Sequence, residues 1–308
     1  MSQHLPTFMM IGATKSGTSS LYFYLKQHPD VFMSAIKEPL FFSYPPDQDI
    51  WDIRDGKNAK NPKVVNNLEA YQRLFEPATQ KARGEASATY IYLPGTAERI
   101  RALIPDVKII AVLRNPVDHA YSAYLHHIRE GWEPCATFAA ALDAEPKRIE
   151  EGWQALYHYQ NGGFYFQQLS RFYKQFSPEQ IKIFLFDDLQ QDPVKVTQDI
   201  FEFVGVDPTF VPDTNTKYNI SGVPKNPLLH RVYRFIKEAS PIKSLAKAVL
   251  PKRFRSVSKR EMMARLEAAN LRKPPLLPAD KERLLTAYRA DTLALQDLLG
   301  RDLSHWLK

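Results

Sequence analysis

The sequence predicts an α/β fold in which a central parallel sheet is flanked by helices, with a helical extension at the C-terminus. Three short and almost purely apolar runs indicate strands that are buried on both faces: residues 8–11, 107–113 and 181–186. Each run is followed by a segment whose apolar residues recur at helical spacing. Strands that alternate with helices in this way are typical of a parallel sheet with right-handed crossovers.

The first strand leads into a loop that is suited to bind an anion. Residues 8–11 (FMMI) are followed by residues 12–20 (GATKSGTSS), which are small or hydroxylated apart from one cation, Lys15. Leu21 and Leu25 then begin a helical pattern. In such a strand–loop–helix unit, the N–H groups of the loop and of the first helical turn point at one spot, and the helix dipole favours negative charge there.

The next part of the chain combines short elements with one long loop. Residues 31–33 (VFM) predict a second strand, and residues 71–75 predict a short helix. Between them, residues 44–67 are polar and rich in proline without a clear period, which predicts a surface loop. Residues 83–87 predict a third strand or strand end, and residues 94–103 have helical spacing.

The clearest strand of the sequence, residues 107–113 (VKIIAVL), ends in Arg114. Asn115 is a good N-cap and Pro116 occupies the first helical position, so we expect a helix from here to about residue 130. An arginine at the carboxyl end of a parallel strand points into the crevice where α/β sheets bind ligands.

The second half of the chain continues with elements of both kinds. Apolar spacing predicts a helix over residues 165–176, a strand over residues 181–186 and a helix from about residue 192 to residue 205. Residues 280–299 have the pattern of a capped amphipathic helix, and Trp306 is expected to fold back on the core.

Composition narrows the class of protein. The 308 residues are enough for one large α/β domain with a full core. The single cysteine, Cys135, excludes an internal disulfide framework and favours a reducing compartment. No stretch approaches the ~20 continuous apolar residues of a membrane span, and the first strand begins too early to leave room for a signal peptide. We therefore expect a cytoplasmic protein.

The net charge of +7 is concentrated in one segment near the C-terminus. Residues 231–273 contain 13 Lys and Arg against 3 Glu. Such a segment is either a solvated stretch or, through the apolar residues among its lysines, a contact with an anionic membrane or an acidic polymer. Nucleic acid is not expected as a partner, because no aromatic and basic stacking platform accompanies the charge.

The order of residues in the first loop indicates which class of phosphate-binding loop it resembles. A Walker-type loop has its lysine after the second glycine, whereas Lys15 precedes Gly17. Lys-Ser-Gly-Thr after a first strand resembles the phosphosulfate loop of the PAPS-dependent sulfotransferases. Residues 37–42 (KEPLFF) are similar to a second motif of the heparan-sulfate and bacterial branch of that family.

The resemblance implies a P-loop-NTPase-like, three-layer α/β fold and a single sulfotransferase domain over residues 1–308. In that arrangement, residues 231–273 form a basic helical or loop segment, and residues 279–308 a C-terminal helix and tail. The implied reaction moves the sulfuryl group of PAPS (3′-phosphoadenosine 5′-phosphosulfate) to a hydroxyl or amine and releases PAP. The acceptor would be a carbohydrate, a lipid or a small metabolite, and the enzyme would be bacterial.

By the same resemblance the first loop binds the 5′-phosphosulfate, with Lys15 as the catalytic cation. A cation in a cradle of N–H groups stabilises the negative charge that builds up as the sulfuryl group leaves. The residues assigned to this role are Lys15, Ser16, Gly17, Thr18 and Ser19. No metal is expected, because Lys15 and the loop amides could take the place of Mg²⁺, and no His or Cys spacing fits a metal site.

Arg114 and Ser122 form a second constellation. A guanidinium fork and a hydroxyl two helical turns later suit a terminal phosphate. Residues 114–122 fit the family pattern R-x-P-x(5)-S, which implies that they bind the 3′-phosphate. A third stretch similar to bacterial relatives, with Ser221, Gly222 and Lys225, would cover the nucleotide.

Glu38 is the candidate general base, because the acceptor must lose a proton as its bond to sulfur forms. The alternative is that Glu38 pairs with Lys37 or with a loop amide. One departure from the heparan-sulfate branch concerns the acceptor. That branch has a second active-site lysine after the third strand, and this chain has Ala86 there.

Two other functions compete with this interpretation. The first is a nucleotide kinase or hydrolase with a degenerate phosphate loop, which would turn over ATP with Mg²⁺ and ignore PAP. The second is a non-catalytic binder that docks through residues 231–273 and is indifferent to loss of Lys15. Neither explains why Lys15, Glu38, Arg114 and Ser122 occur together.

Overall fold

The computed structural model of the chain describes residues 4–45, 51–54, 57–60, 64–216, 218, 222–225 and 270–308. Its strands are β1 (Phe8–Gly12), β2 (Val31–Met33), β3 (Trp51–Arg54), β4 (Lys57–Lys60), β5 (Ala82–Ala86), β6 (Lys108–Leu113), β7 (Ile181–Leu185), β8 (Val223–Pro224) and β9 (Leu271–Arg272). Its helices are α1 (Thr18–Leu25), α2 (Leu68–Arg73), α3 (Thr96–Leu103), α4 (Pro116–Glu130), α5 (Phe138–Glu150), α6 (Tyr165–Tyr173), α7 (Phe186–Gln191), α8 (Pro193–Val204) and α9 (Pro278–Leu299).

Five of the strands form the central sheet in the order β2-β5-β1-β6-β7, and every pair is parallel. β1 is therefore the middle strand, with β5 on one side and β6 on the other. The carboxyl ends of all five strands meet at one edge of the sheet. Because the strand order reverses direction around β1, the loop after β1 opens at the switch point where such sheets bind ligands.

The sheet is covered on both faces, which explains why its strands lack a polar alternation. In β1, Met9 and Ile11 face a core layer that contains α3, α6 and the C-terminal helix α9, whereas Phe8 and Met10 face a layer that contains α1 and α8. All four side chains are fully buried. The three layers predicted from the sequence are confirmed.

Most predicted elements agree with the observed ones to within a few residues, but three segments differ. Residues 44–67, predicted as a loop, contain the antiparallel pair β3–β4. The four-residue alternation in Trp51–Arg54 is a strand signal too short to stand out from a polar surrounding. Helix α5 was not predicted, because Pro146 lies inside it. The strand predicted to end at Phe186 ends at Leu185, and Phe186 begins α7.

The C-terminal helix and tail pack on the sheet, as predicted for Trp306. This side chain is 1% exposed and belongs to the core layer that includes Leu295 and Leu303. Asp291 of α9 also accepts hydrogen bonds from the backbone N–H groups of Phe166 and Gln167, at 2.9 and 3.2 Å. A residue near the C-terminus thus caps the first turn of α6.

The short antiparallel pair β8–β9 connects two distant parts of the chain. Val223 lies opposite Arg272 and Pro224 opposite Leu271. The Lys225 amide donates to the Asn270 carbonyl at 2.6 Å. Of the basic segment predicted over residues 231–273, only residues 270–273 are described, and Leu271 and Arg272 among them form β9.

Candidate active site

The loop after β1 is tied closely to the sheet. The Ala13 amide donates to the Val112 carbonyl of β6 at 2.8 Å, and the Ser16 hydroxyl donates to the Thr14 carbonyl at 3.2 Å. Lys15 has a left-handed backbone, with φ 59°, and its ammonium group is buried. A non-glycine residue in this region is strained, and such strain is concentrated at functional sites. The loop therefore aims one cation inward at a defined position.

Gly17 makes the turn from the loop into α1. Its φ is 88°, and a Cβ atom at this position would lie 2.6 Å from the Leu189 side chain. Glycine is thus required both by the backbone conformation and by the close approach of α7. Because Gly17 is the N-cap and offers no side-chain acceptor, the N–H groups of the first turn, at Thr18 and Ser19, remain available to an anion.

A cavity of about 360 Å³ opens at this helix terminus. Its volume is within the range of small-molecule sites, which is about 300–1,000 Å³. One end presents the loop and the first turn of α1, and the walls come from α7, α8 and Arg114. The described residues that line it are Lys15, Gly17, Thr18, Ser19, Ser20, Tyr24, Arg114, Phe186, Leu189, Gln190, Pro193, Tyr218 and Lys273.

Arg114 is fixed in the cavity wall by three kinds of contact. Its Nη1 donates to the Lys15 carbonyl at 3.1 Å, and its guanidinium lies over the Phe186 ring, 4.8 Å from the centroid. Its Nη2 is 3.8 Å from Asp118 Oδ1. Burial lowers the pKa of Arg114, which Asp118 partly offsets, but a guanidinium stays protonated at neutral pH. The site therefore holds a preoriented cation beside Lys15.

A second lysine reaches the same wall from the other end of the chain. Lys273 Nζ donates to Asp118 Oδ1 at 2.7 Å, so that Asp118 lies between Lys273 and Arg114. Partial burial opposes ionisation of this carboxyl group. The hydrogen bond from Lys273 and the charges of Lys273 and Arg114 outweigh that effect and lower the pKa of Asp118.

A cluster of neutral polar groups, whose members are not among the described residues that line this cavity, includes Thr14 of the loop. Thr14 Oγ1 and His119 Nε2 are hydrogen-bonded at 2.9 Å, and Tyr92 Oη and His158 Nδ1 at 2.7 Å. Burial, together with the charges of Arg114 and Lys15, lowers the pKa of His119 to about 3, and burial lowers the pKa of His158 to about 4. His119 therefore adds no third positive charge next to the two cations.

Glu38 lies on a loop that is docked on the end of β5. The Glu38 amide donates to the Ala86 carbonyl at 2.9 Å, and the Leu40 amide donates to Ser87 Oγ at 3.2 Å. Glu38 and Leu40 have φ values of 63° and 60°. Among the described residues, the only other non-glycine residue with positive φ is Lys15, so two of the three strained positions are the predicted catalytic residues.

The Glu38 carboxylate forms an ion pair with Lys37, with 2.6 Å between Lys37 Nζ and Glu38 Oε1. The pairing considered in the sequence analysis is thus present. The Lys37 and Glu38 side chains are 22% and 36% exposed, so both remain partly accessible. Such a half-exposed pair can exchange partners with a bound acceptor, so the ion pair is compatible with a role as base.

A second carboxyl group belongs to Glu85, which is fully buried in β5 and precedes Ala86, the residue that accepts the hydrogen bond of the Glu38 amide. Burial raises its pKa to about 8; the neighbouring phenols of Tyr71 and Tyr90 oppose this shift, and the charge of Glu38 adds to it. Glu85 is therefore protonated at neutral pH. The Tyr90 hydroxyl also accepts from the Phe42 amide at 3.2 Å, which links this buried group to the loop of Glu38.

The predicted site residues do not all reach the cavity. Lys15, Gly17, Thr18, Ser19 and Arg114 line it. The side chains of Ser16 and Ser122 are fully buried and are not among its described lining residues. Gly222 and Lys225 flank β8 and are not among the lining residues either, and Ser221 lies outside the described residues.

Several residues of the cavity wall were not predicted from the sequence. Phe186, Leu189, Gln190 and Pro193 follow β7 directly. Their position after a parallel strand was a usable signal, because the carboxyl ends of neighbouring strands share one edge. No sequence signal marked Lys273, which belongs to a long basic stretch.

Two negative observations apply to the described ranges. No three His, Cys, Asp or Glu side chains lie together in a way that could bind a metal ion, among the residues for which the structure gives positions. In that same part of the chain, no helix has the length and apolar composition needed to cross a membrane.

Comparison with known proteins identifies the family. The family model of the sulfotransferase domain matches residues 5–221, which is more than half of the chain. The chain belongs to the sulfotransferase family. A crystal structure of a sulfotransferase from Alicyclobacillus acidocaldarius is 32% identical, covers 99% of this chain and 99% of its own, and has a TM-score of 0.74. The resemblance stated from the two motifs, and the P-loop-NTPase-like fold it implied, are confirmed.

Curated sulfotransferases of animals are also similar. The bifunctional heparan sulfate N-deacetylase/N-sulfotransferase 1 of Caenorhabditis briggsae is 26% identical over 70% of this chain and 24% of its own length. The corresponding protein 3 of Homo sapiens is 28% identical over 67% of this chain and 23% of its length. The matched part of this chain corresponds to only about a quarter of these sulfotransferases. Membership of this family does not favour the kinase or hydrolase alternative.

Proposed function

We propose that this sulfotransferase uses PAPS as the sulfuryl donor and transfers the group to a hydroxyl or amine of a carbohydrate, a lipid or a small metabolite, with release of PAP. The observation that carries the proposal is the cavity of about 360 Å³ in which the N-terminus of α1, Lys15 and Arg114 meet. A ligand with two separated phosphate groups and an apolar base fits this combination of charged and apolar walls.

The first loop would bind the phosphosulfate end. The N–H groups of Thr18 and Ser19 lie in the first turn of α1, where backbone donors and the helix dipole both favour an anion. Lys15, held by its strained backbone, adds a buried cation at the same place. Such preorganised charge stabilises the leaving phosphate more than the ground state, so it accelerates transfer.

Arg114, which also lines the cavity, would bind the 3′-phosphate. The stacking of Arg114 on Phe186 and its bond to the Lys15 carbonyl leave part of its guanidinium directed to the cavity. Ser122 remains a proposed partner on the basis of its motif position, although it is fully buried. Ser221, Gly222 and Lys225 remain proposals of the same kind.

Glu38 would take the proton of the acceptor. In the transfer, the bond between sulfur and the bridging oxygen breaks, a bond from the acceptor oxygen or nitrogen to sulfur forms, and the acceptor proton passes to the Glu38 carboxylate. Hydrogen bonds to Ala86 and Ser87 hold the loop of Glu38 at the end of β5, which is next to β1 in the sheet. The base and the phosphosulfate loop therefore share one edge.

The acceptor remains defined only by class: a carbohydrate, a lipid or a small metabolite. Ala86 is fully buried in β5, at the position where the heparan-sulfate branch has its second lysine. The absence of that cation argues against a heparan-like polyanion, because less positive charge faces the acceptor. Residues 231–273 would add a contact with an anionic membrane or polymer.

The test is transfer of labelled sulfuryl groups from PAPS to a panel of hydroxylated and amino acceptors. Lys15→Ala should lower the rate of transfer by about 10²–10³-fold, as loss of one preorganised donor does in other enzymes. Lys26→Ala is the matched control, because Lys26 is an exposed cation at the other end of α1. Equal rates for both variants and the wild type would contradict the proposal.

A further inference from the structure

The strained backbone of Lys15 is held from two sides by residues at the start of α4. Arg114 Nη1 donates to the Lys15 carbonyl at 3.1 Å, and His119 Nε2 shares a hydrogen bond of 2.9 Å with Thr14 Oγ1. The His119 amide donates to the carbonyl of Asn115, the N-cap of α4, at 2.9 Å, so His119 is fixed in the first turn. Lys15 and the residue before it are thus both tied to one helix terminus.

The ring of His119 is covered by a second segment. A Cβ atom on Gly162 would lie 2.9 Å from His119 Cε1, so a larger residue would press against the ring. Gln168 of α6 fixes this segment, because its Nε2 donates to the Asn161 and Gly162 carbonyls at 3.2 and 3.1 Å. With its nitrogen engaged in this way, the oxygen is the part of the Gln168 amide that remains for another partner.

A small cavity of about 20 Å³ adjoins these groups. His119, His158 and Gln168 line it, and they are only 3%, 8% and 3% exposed. Each has one buried polar atom without a hydrogen-bond partner among the described residues: His119 Nδ1, His158 Nε2 and Gln168 Oε1. Buried polar atoms are rarely left unpaired, because they have lost their hydration. Three such atoms around one cavity therefore indicate a ligand that they share.

The size and the charge of the surroundings restrict this ligand. A volume of about 10–15 Å³ is enough for one water molecule, so a cavity of about 20 Å³ matches that size. Burial and the charges of Arg114 and Lys15 lower the pKa of His119 to about 3, so the ring is neutral, and the same two charges oppose a bound cation. A water molecule both donates and accepts hydrogen bonds, which suits one amide oxygen and two neutral imidazole nitrogens.

We propose that this cavity binds one structural water molecule, held by His119, His158 and Gln168, and that His119 and this water position the loop of Lys15 for sulfuryl transfer. The three side chains are positioning residues, since none of them lines the larger cavity. The bridge connects the loop to the segment fixed by α6, so Lys15 keeps its direction while charge develops on the leaving phosphate. The positioning role rests on the proposed function, whereas the water site does not.

The water site is tested by crystal structures of the wild type and of two variants, at a resolution that shows ordered water. The wild type should show one water molecule within about 2.7–3.2 Å of the three polar atoms. His158→Phe should lose it, whereas His158→Gln, which retains a polar atom near the position of Nε2, should keep it. Density for an ion, or no density in the wild type, would overturn the inference.

The positioning role is tested by transfer assays and PAP calorimetry on Thr14→Val, His119→Phe and the double variant. Each single variant should lower kcat about tenfold through loss of one hydrogen bond, with the Kd for PAP unchanged. The double variant should lose no more than either single one, because both remove the same bond.

His28→Gln is the matched control for a purely structural effect. His28 is also a buried histidine, 2% exposed, but its ring bonds only to the backbone of Asp30 and Asp207 among the described residues. This variant should lower the stability and leave kcat unchanged. Additive losses in the double variant, or a loss of kcat no larger than that of His28→Gln, would overturn the positioning role. A wild type that transfers no sulfuryl group but contains the water would instead overturn the proposed function.

Discussion

At the scale of single residues, backbone strain points to the same positions as the motifs. Lys15 and Glu38 have φ values of 59° and 63°, which are unfavourable for side chains with a Cβ atom. Neither conformation is needed to cover the core, since both residues lie in loops at the edge of the sheet. The strain is therefore best explained by the direction in which each side chain must point.

Glu38→Gln should lower kcat by about 10²-fold or more, because general-base catalysis contributes about that much, while the Kd for PAP stays unchanged. The measurement is a transfer assay together with calorimetry. Lys37→Gln is the control, since it removes the ion-pair partner but leaves the carboxylate. A loss of PAP affinity in Glu38→Gln that equals its loss of rate would show that Glu38 acts in nucleotide binding instead.

Glu85 should make the stability depend on pH. Its pKa is raised from 4.5 to about 8 in the folded protein, so the folded state keeps a proton that the unfolded state has lost between these values. The free energy of unfolding should therefore fall by about 1.4 kcal/mol per pH unit as the pH rises through that interval. Below the unfolded pKa the contribution is complete, and above about pH 8 it is lost.

Glu85→Gln should remove this slope, because glutamine stays neutral. Urea unfolding of both proteins across the same interval gives the difference directly, since other titrating groups cancel. A wild type and variant whose stabilities run parallel with pH would show that Glu85 is ionised in the folded state.

At the scale of elements, helix α5 shows what local sequence cannot specify. Pro146 is unfavourable inside a helix, yet residues 138–150 form one. Arg148 of this helix forms a bidentate salt bridge with Glu133: its Nη2 donates to Oε1 at 2.6 Å and its Nη1 to Oε2 at 3.0 Å. Both side chains are almost fully buried. The glutamate lies in a separate segment, so the compensation for Pro146 depends on tertiary contacts that periodicity does not reveal.

Arg148→Ala should lower the free energy of unfolding by about 3–5 kcal/mol, because it leaves Glu133 buried without its cation. Lys147→Ala, one residue earlier, should change it by less than about 0.5 kcal/mol, because its pair with Glu151 is exposed. Denaturant unfolding of both variants is the measurement. Similar small effects would show that the buried pair is replaced by solvent at little cost.

In contrast to helix α5, the strands and the first loop could be predicted from the local sequence. Met9 and Ile11 are buried on one face of β1, and Phe8 and Met10 on the other. A continuous apolar run therefore predicts a strand buried on both faces, even when the elements that cover it are not known. Lys15 and Arg114 are placed by the strand ends that precede them. Lys273 and Phe186 reach the cavity only through the packing of distant segments. The spacing of residues along the chain does not predict that packing.

At the scale of the whole molecule, the C-terminal residues complete the core and brace the cavity. Arg301 pairs with Asp188 of α7 at 2.7 and 3.0 Å, and the Trp306 indole N–H donates to Asp187 at 3.3 Å. The same helix α7 supplies Leu189 to the cavity wall. The last turn of the chain is thus connected to the candidate site through one short helix.

Trp306→Ala should lower the free energy of unfolding by about 3–5 kcal/mol, since it removes a fully buried aromatic side chain. His305→Ala is the control, because that side chain is 52% exposed and its loss should cost less than about 0.5 kcal/mol. Denaturant unfolding compares the two variants. Equal, small effects would mean that the C-terminal turn is dispensable for the core.

We propose that this sulfotransferase binds an adenosine 3′,5′-bisphosphate without a metal, and calorimetry of PAP against ATP with Mg²⁺ tests this most directly. The wild type should bind PAP equally well with and without Mg²⁺. Arg114→Ala should lose about tenfold or more of that affinity, whereas Arg101→Ala, an exposed cation on α3, should lose none. Indifference to PAP together with a clear isotherm for ATP and Mg²⁺ would contradict the account.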